Sequence, residues 1–189
     1  LDRTFAELDP VQRLRQLRRE VPGRLVFTSS FGLEDQVVFH LICTNDIDIE
    51  TVTLDTGRLF AETYALWAQT EQRYGRRIKA FYPQQREVEE MVGRQGINGF
   101  YNSIEARLSC CHVRKVEPLG RALAGAQAWI TGLRADQSQQ RRKVALAEFD
   151  EQRQLIKVNP LLDWSRERAL EFTKASNIPI NPLHASGLV

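Results

Sequence analysis

The chain alternates between short apolar runs and longer stretches in which apolar residues recur every three or four positions. The apolar runs have the composition of buried strands and occupy 24–29, 49–54, 78–82 and 128–132. The stretches between them carry the spacing of a helix face and predict helices over 34–43, 61–74, 85–94 and 104–124. Strands that alternate with helices of this length predict an α/β fold, with a mainly parallel sheet flanked by helices.

The first 22 residues carry an amphipathic helical pattern of their own. Val11, Leu14 and Leu17 mark its apolar side, and Pro22-Gly23 ends it. Many of the remaining positions are arginines, and we expect these arginines to form a solvated face.

Towards the other end of the chain the pattern changes. Residues 144–149 and 155–158 are typical of two strands around a turn at 150–151, which predicts a hairpin. Ser165 is the expected N-cap of a helix over 166–176.

Composition narrows the classes of protein to consider. A length of 189 residues suits one domain with its own core, so we expect a single domain over 1–189. A net charge of +2 gives no broad basic field, which argues against a nucleic-acid partner, and no apolar run approaches the ~20 residues of a membrane span. Three cysteines, two of them adjacent, are typical of a reducing cytoplasm. The sequence leaves open whether the chain forms a homo-oligomer.

Three polar loops directly follow predicted strands, at 29–35, 55–58 and 132–138. Parallel strands end at the same edge of a sheet, and ligands bind at that edge where the strand order reverses. We therefore expect one site built from all three loops.

The first loop has the features of an anion site. It combines two hydroxyls and a glycine, in Ser29, Ser30 and Gly32, just before a predicted helix. Unpaired backbone N–H groups and the helix dipole at such a helix start favour a phosphate or sulfate. The loop lacks the Gly-Lys-Ser/Thr of a Walker A sequence, and a simple Ser/Gly turn is the competing interpretation.

The other two loops add charged groups at the same edge. Asp55 and Gly57 follow Leu54 and supply an acid and a tight turn, which is a weak signal by itself. Arg134 comes two residues after Gly132 and offers a cation that grips anionic groups with two hydrogen bonds. Its alternative is a solvated arginine. Together the three loops predict a site for a nucleotide that carries anionic groups.

The pair Cys110-Cys111 lies on a predicted helix, with Arg107, Arg114 and Lys115 about one turn away. Nearby cations favour the thiolate, which is both the nucleophilic and the metal-binding form of cysteine. A chance pair on a basic helix is the alternative.

Other potential ligands have weaker support. A zinc site that adds His112 to the cysteine pair is disfavoured, because three consecutive helical residues point in different directions. Cys43 lies among apolar residues and is expected to be a buried, inert thiol. His40 and His184 are expected to be packing and loop residues.

Four motifs, in this order, resemble those of the assimilatory adenylyl-sulfate (APS) reductases, which are relatives of the phosphoadenylyl-sulfate (PAPS) reductases. They are Ser-Ser-Phe-Gly-Leu-Glu-Asp at 29–35, Leu-Asp-Thr-Gly-Arg-Leu-Phe-x-Glu-Thr-Tyr at 54–64, Cys-Cys-x-x-Arg-Lys-x-x-Pro-Leu at 110–119 and Gly-Leu-Arg-x-x-Gln-Ser at 132–138. The resemblance covers nearly the whole chain and implies an adenine nucleotide alpha hydrolase-like fold of the PP-loop type.

The resemblance also implies a [4Fe-4S] cluster, with Cys110 and Cys111 as two of its four ligands. In the family, a later Cys-x-x-Cys supplies the other two ligands, and a cysteine near the C-terminus is the nucleophile. Neither is present before Val189. We therefore expect that the C-terminal tail of the domain is missing and that this fragment is inactive.

The implied activity is thioredoxin- or glutaredoxin-dependent reduction of APS to sulfite and AMP in sulfate assimilation, through an S-sulfocysteine intermediate. Lys115 and Arg134 are then the catalytic candidates, as cations at the sulfate. The implied substrate-binding residues are Ser29, Ser30, Phe31, Gly32, Leu54, Asp55, Gly57, Lys115, Gly132 and Arg134.

Three other functions stay open at this point. Cluster-free PAPS reductases lack the cysteine pair, so Cys110-Cys111 favours APS over PAPS without excluding PAPS. A non-catalytic nucleotide-binding iron–sulfur module is a second alternative. An ATP-using adenylyltransferase is the third, but it needs a Ser-Gly-Gly-x-Asp-Ser loop, from which residues 30–35 depart.

Overall fold

The computed structural model describes residues 2–137 and 144–184. Its strands are β1 Arg24–Ser29, β2 Glu50–Leu54, β3 Lys79–Phe81, β4 Ala126–Ile130, β5 Ala147–Asp150 and β6 Leu155–Val158. Its α-helices are α1 Asp2–Phe5, α2 Pro10–Glu20, α3 Leu33–Thr44, α4 Ala61–Tyr74, α5 Gln85–Gln95, α6 Ile104–Cys111, α7 Glu117–Leu123 and α8 Arg166–Ala175. A π-helical turn, His112–Val116, joins α6 to α7.

The six strands form one sheet in the order β3-β2-β1-β4-β6-β5. All neighbouring strands are parallel except β5, which pairs antiparallel with β6. This arrangement confirms the predicted α/β fold and the predicted hairpin, although β5 begins at Ala147 and not at residue 144. The chain moves outward from β1 to β2 and β3, then returns to the other side of β1 with β4, so strand order reverses between β1 and β4.

Side chains alternate across β1 and supply both faces of the sheet with core residues. Leu25 and Phe27 belong to the larger core, which packs under α2, α3 and α8. Val26 belongs to the smaller core, which it shares with Ala122 and Leu123 of α7. Burial on both faces explains why these strands are continuously apolar in sequence.

The prediction of one helix over residues 1–22 is wrong, because α1 ends at Phe5 and α2 begins only after its N-cap, Asp9. The Asp9 carboxylate accepts a hydrogen bond from the Gln12 N–H at 2.9 Å, and the Gln12 side chain accepts one from the Asp9 N–H at 2.9 Å. This capping box, with Pro10 in the first helical turn, begins α2 as a separate helix.

The expectation that the arginines of this region are solvated is wrong for Arg13, whose side chain is 1% exposed. Its guanidinium donates to the backbone carbonyls of Phe5 and Pro160 and to both carboxylate oxygens of Asp163, at 2.6 to 2.8 Å. Hydrogen bonding from Arg13 holds the pKa of Asp163 below its usual value. The pair joins α2 to the segment between β6 and α8.

The cysteine-bearing helix was predicted as one helix over 104–124. The structure has a continuous helical path there, with α6, the π-helical turn and α7 in succession. No helix within 2–137 and 144–184 is both long and apolar enough to cross a membrane.

Candidate active site

A cavity of about 480 Å³ opens at the carboxyl ends of β1, β2 and β4. This is the edge where strand order reverses, and the volume lies in the usual range for small-molecule sites. Its walls unite the three predicted loops with the helix that follows the cysteine pair. The lining residues are Thr28, Ser29, Ser30, Phe31, Gly32, Glu34, Asp35, Thr53, Leu54, Thr56, Leu59, Lys115, Leu119, Trp129, Thr131, Gly132, Leu133, Gln137 and Lys157.

Most of the residues predicted from sequence to bind substrate therefore meet at one cavity. Those on its wall are Ser29, Ser30, Phe31, Gly32, Leu54, Lys115 and Gly132. Asp55, Gly57 and Arg134 lie behind the wall, in contacts described below. Ser138, the last residue of the third predicted loop, lies outside the described residues.

In the first loop, the buried carboxylate of Asp35 organises the backbone. It accepts hydrogen bonds from the N–H and the hydroxyl of Ser30, both at 2.7 Å. Burial raises the pKa of Asp35, and the Ser30 hydrogen bonds partly offset that effect. Gly32 is the N-cap of α3 and supplies no side-chain cap, so the helix start keeps unpaired N–H groups next to the cavity. Such a helix start favours an anionic ligand.

Phe31 fixes the shape of that loop. Its φ of 62° lies in the left-handed region, which costs free energy for a non-glycine residue. The ring compensates by being 1% exposed and by stacking on Trp67, with centroids 5.5 Å apart. The Phe31 N–H donates to the Ser29 hydroxyl at 3.1 Å, which leaves the proton of that hydroxyl available to a ligand.

Gly132 lets the third loop touch the first. A Cβ at this position would lie 2.3 Å from Asp35 Oδ1 and 3.0 Å from the Asp35 backbone nitrogen. Real Cβ atoms do not approach that closely, so the contact between the end of β4 and the start of α3 requires glycine here.

In the second loop, Asp55 and Gly57 fix the conformation of the backbone. The Asp55 carboxylate accepts hydrogen bonds from the Gly57 N–H at 2.8 Å and from the Tyr64 hydroxyl at 2.8 and 3.0 Å. Gly57 has a φ of 70°, which favours glycine. These contacts aim Leu54 and Thr56 at the cavity, so Asp55 and Gly57 shape the wall from behind.

Arg134 is buried and forms ion pairs with two carboxylates. Its guanidinium donates to the Glu34 carboxylate at 2.6 Å and also pairs with Asp136. These contacts tie the third loop to the first turn of α3. A direct contact of Arg134 with the sulfate stays a prediction, and in this arrangement it requires that one of the two carboxylates be released.

Lys157 is a cavity residue that the sequence analysis missed. It lies on β6, and its Nζ is 5.1 Å from the centre of the Trp129 ring. The Trp129 Nε1–H in turn donates to the Thr28 hydroxyl at 2.9 Å. Its signal in the sequence is a single lysine near the end of an otherwise apolar strand, and that pattern indicates only one strand of a hairpin.

The charges of the cavity suit an anionic ligand. Lys115 and Lys157 both line the cavity and bring two ammonium groups to it. The two lining carboxylates are already occupied, Glu34 by Arg134 and Asp35 by Ser30. An anion that enters therefore meets two cations and a helix start.

The cysteine pair lies at the end of α6, with Cys110 half-buried, Cys111 exposed and both thiols free. Within the described part of the chain, no group of three or more His, Cys, Asp or Glu side chains could hold a metal ion. Two adjacent accessible thiols suit two positions of an iron–sulfur ligand set but do not complete one. Cys43 is partly buried, and burial raises its pKa.

Comparison with known proteins identifies the family of the chain. The family model described as "Phosphoadenosine phosphosulfate reductase domain" matches residues 24–189. The chain belongs to this family. Its match to "Adenosine 5'-phosphosulfate reductase" of Agrobacterium fabrum is 50% identical over 187 residues, covering 99% of this chain and 72% of the relative. Across the first four such relatives, the chain spans 62% to 72% of their length.

Solved structures show the same fold. Phosphoadenylyl-sulfate (PAPS) reductase from Candida auris, in complex with phosphate, superposes with a TM-score of 0.85 at 27% identity, over 99% of this chain and 89% of that one. The U34-tRNA thiolase NcsA from Methanococcus maripaludis, with its [4Fe-4S] cluster, has a TM-score of 0.55 at 12% identity, over 92% and 66%. These matches confirm the reductase family recognised from the motifs and the PP-loop type of fold.

Proposed function

We propose that this chain is the nucleotide-binding part of an APS reductase, which converts adenylyl sulfate to sulfite and AMP. One observation carries the proposal. The helix that bears Cys110 and Cys111 delivers Lys115 to the same cavity as the anion-binding start of α3. Relatives that share half of its residues bear the name of this activity.

In the reaction, a thiolate attacks the sulfur of the bound sulfate. The new S–S bond forms as the bond between that sulfur and the bridging oxygen breaks, and AMP leaves with the oxygen. Thioredoxin or glutaredoxin then attacks the S-sulfocysteine with its own thiolate and releases sulfite. The donor's second thiol displaces the enzyme cysteine, and the donor becomes a disulfide.

The attacking thiolate and the sulfate repel each other, so cations at the sulfate lower the barrier. Lys115 is on the cavity wall and is our candidate for this role. The start of α3 and the Ser29 hydroxyl hold the phosphosulfate, and Leu54 borders the adenine.

We infer that the nucleophilic cysteine lies in a part of the protein beyond this chain. The relatives are longer than the chain, and its three cysteines are poor candidates. Cys43 is partly buried with a raised pKa, and Cys110 and Cys111 are better suited as ligands. Free thiols at all three positions fit a reducing cytoplasm.

We also propose that Cys110 and Cys111 are two of the four ligands of a [4Fe-4S] cluster. The two thiols are adjacent and accessible, which suits such ligation. Held by Cys110 and Cys111, such a cluster would add charge beside the helix that carries Lys115, and none of the steps above depends on it.

PAPS is the second candidate substrate, and Lys157 is the observation that favours it. A 3′-phosphate on the ribose needs a cationic partner, and Lys157 is a cavity ammonium not assigned to the phosphosulfate. The cysteine pair favours APS, which we keep as the main proposal.

Calorimetric titration of the full-length protein with APS and AMP tests the assignment of Lys115. In Lys115→Ala, we expect APS affinity to fall by roughly 10- to 150-fold, because one charge-assisted contact is worth about 1.5–3 kcal/mol. AMP affinity should change much less. Lys79→Ala is the control, since that lysine is exposed on the edge strand β3. Equal losses for APS and AMP would show that Lys115 does not face the sulfate.

A further inference from the structure

The cysteine-bearing helix contains one irregular turn, and that turn separates the thiols from the cavity. Along His112–Val116 the helix is π-helical, and the N–H of Glu117 bonds the carbonyl of His112, five residues back. In an α-helix this N–H would bond the carbonyl four residues back. Such π-turns are rare and occur often at functional sites.

Pro118 explains the irregular turn. Proline has no backbone N–H, so the Arg114 carbonyl loses its α-helical donor, and the proline ring also crowds that carbonyl. Widening the turn relieves both problems. Pro118 lies in the first turn of α7, so its missing N–H removes no hydrogen bond within α7 itself.

The wider turn changes which side chains share a face. In an uninterrupted α-helix, positions 111, 115 and 119 would lie on one face. Lys115 and Leu119 do line the cavity together, whereas Cys111 is exposed and is not on its wall. One extra residue in a turn rotates the preceding segment by about 100°, which accounts for the difference.

Contacts of Arg114 lock the rotated arrangement. Its side chain is 7% exposed, and its guanidinium donates to the Thr56 carbonyl at 2.6 Å. A Cβ on Gly57 would lie 3.4 Å from the same nitrogen. The arginine that an α-helix would place one turn beyond Cys110 is thus directed at the second loop of the site.

We propose that Pro118 is a positioning residue, which imposes the π-turn and so turns Cys110 and Cys111 out of the nucleotide cavity while Lys115 stays in it. This inference rests on the proposed function, in which Cys110 and Cys111 would be two ligands of a cluster. The cavity space beside Lys115 is thereby kept for the sulfate.

Pro118→Ala in the full-length protein, purified without oxygen, tests the proposal. The variant gains the missing N–H, so we expect the helix to return to an α-helical path and the thiols to rotate towards the cavity. Iron per chain should fall to less than half of the wild-type content, while AMP affinity stays within about threefold. Pro83→Ala, which alters a proline outside this helix, should keep its iron.

Alkylation after removal of iron by a chelator supplies a second measurement. In wild type, saturating AMP should not slow the alkylation of Cys111, read by mass spectrometry of its peptide. In Pro118→Ala, AMP should slow it several-fold.

Wild-type iron content in Pro118→Ala, or no protection of Cys111 in that variant, would overturn the role of Pro118. Loss of AMP affinity that parallels the loss of iron would also overturn it, by indicating general destabilisation. Iron-free wild type would instead contradict the proposed cluster.

Discussion

Full-length protein in which Cys110 or Cys111 is replaced by Ser is expected to lose its iron, whereas Cys43→Ser should keep it. The thiols of Cys110 and Cys111 are adjacent and accessible at the end of α6, and a serine hydroxyl is a poor replacement for a thiolate ligand. Cys43 packs beside the larger core, away from the cavity wall, and its raised pKa disfavours the thiolate. Cys43→Ser therefore serves as a matched control for losing one cysteine.

The measurement is iron per chain after purification without oxygen, together with the visible absorption of the protein. Wild type should be brown, with about four irons per chain. Colourless wild-type protein that binds one zinc and remains active would contradict the assignment of the pair as cluster ligands.

Arg13→Ala is expected to lower the free energy of unfolding by roughly 3 kcal/mol. Removing one partner of a buried ion pair costs about 3–5 kcal/mol, and the half-exposed carboxylate of Asp163 places this pair at the lower end. The substitution also strands the buried carbonyls of Phe5 and Pro160, which lose their donor. Urea unfolding of wild type and variant measures the difference.

The stability difference should depend on pH with a definite sign. Arg13 depresses the pKa of Asp163 in the folded state, so the pair stabilises the fold above the unfolded pKa of about 3.9. That contribution is lost as pH falls through the folded-state pKa. The difference between wild type and Arg13→Ala should therefore be largest at neutral pH and shrink below about pH 4.

Arg19→Ala is the control, because Arg19 is an exposed arginine of the same helix. It should change stability by less than about 0.5 kcal/mol. Equal effects of the two substitutions would mean that Arg13 is not the anchor between α2 and the segment before α8.

Elements with strong local signals were predictable from the sequence. Helix α4 has the predicted bounds, 61–74, because Gly75 ends it in a left-handed conformation. The break before α2 was equally readable, since an Asp-Pro pair followed by Gln12 is a helix-start signal. It was missed because the apolar spacing runs through it.

Contacts between distant segments could not be predicted from local pattern. Nothing near Arg13 distinguishes it from the exposed arginines beside it, and its partner Asp163 is 150 residues away. Arg134 looked available at a strand end, yet Glu34, 100 residues away, engages it. Whether a cation is paired or open to a ligand is decided by tertiary packing.

The candidate site falls between these cases. The three loops were predictable because parallel strands end at one edge of the sheet. Most of the residues predicted to bind substrate line one cavity there. The orientation of the cysteine pair was not predicted, because the helix pattern over 104–124 was interpreted without the effect of Pro118 on its hydrogen bonds. Lys157 reaches the cavity only because β6 pairs with β4.

The release of sulfite from APS by the full-length protein, with reduced thioredoxin, tests the central claim most directly. The account predicts sulfite and AMP in equal amounts, with faster turnover of APS than of PAPS. Release of sulfate in place of sulfite, or no reaction with either nucleotide, would contradict it.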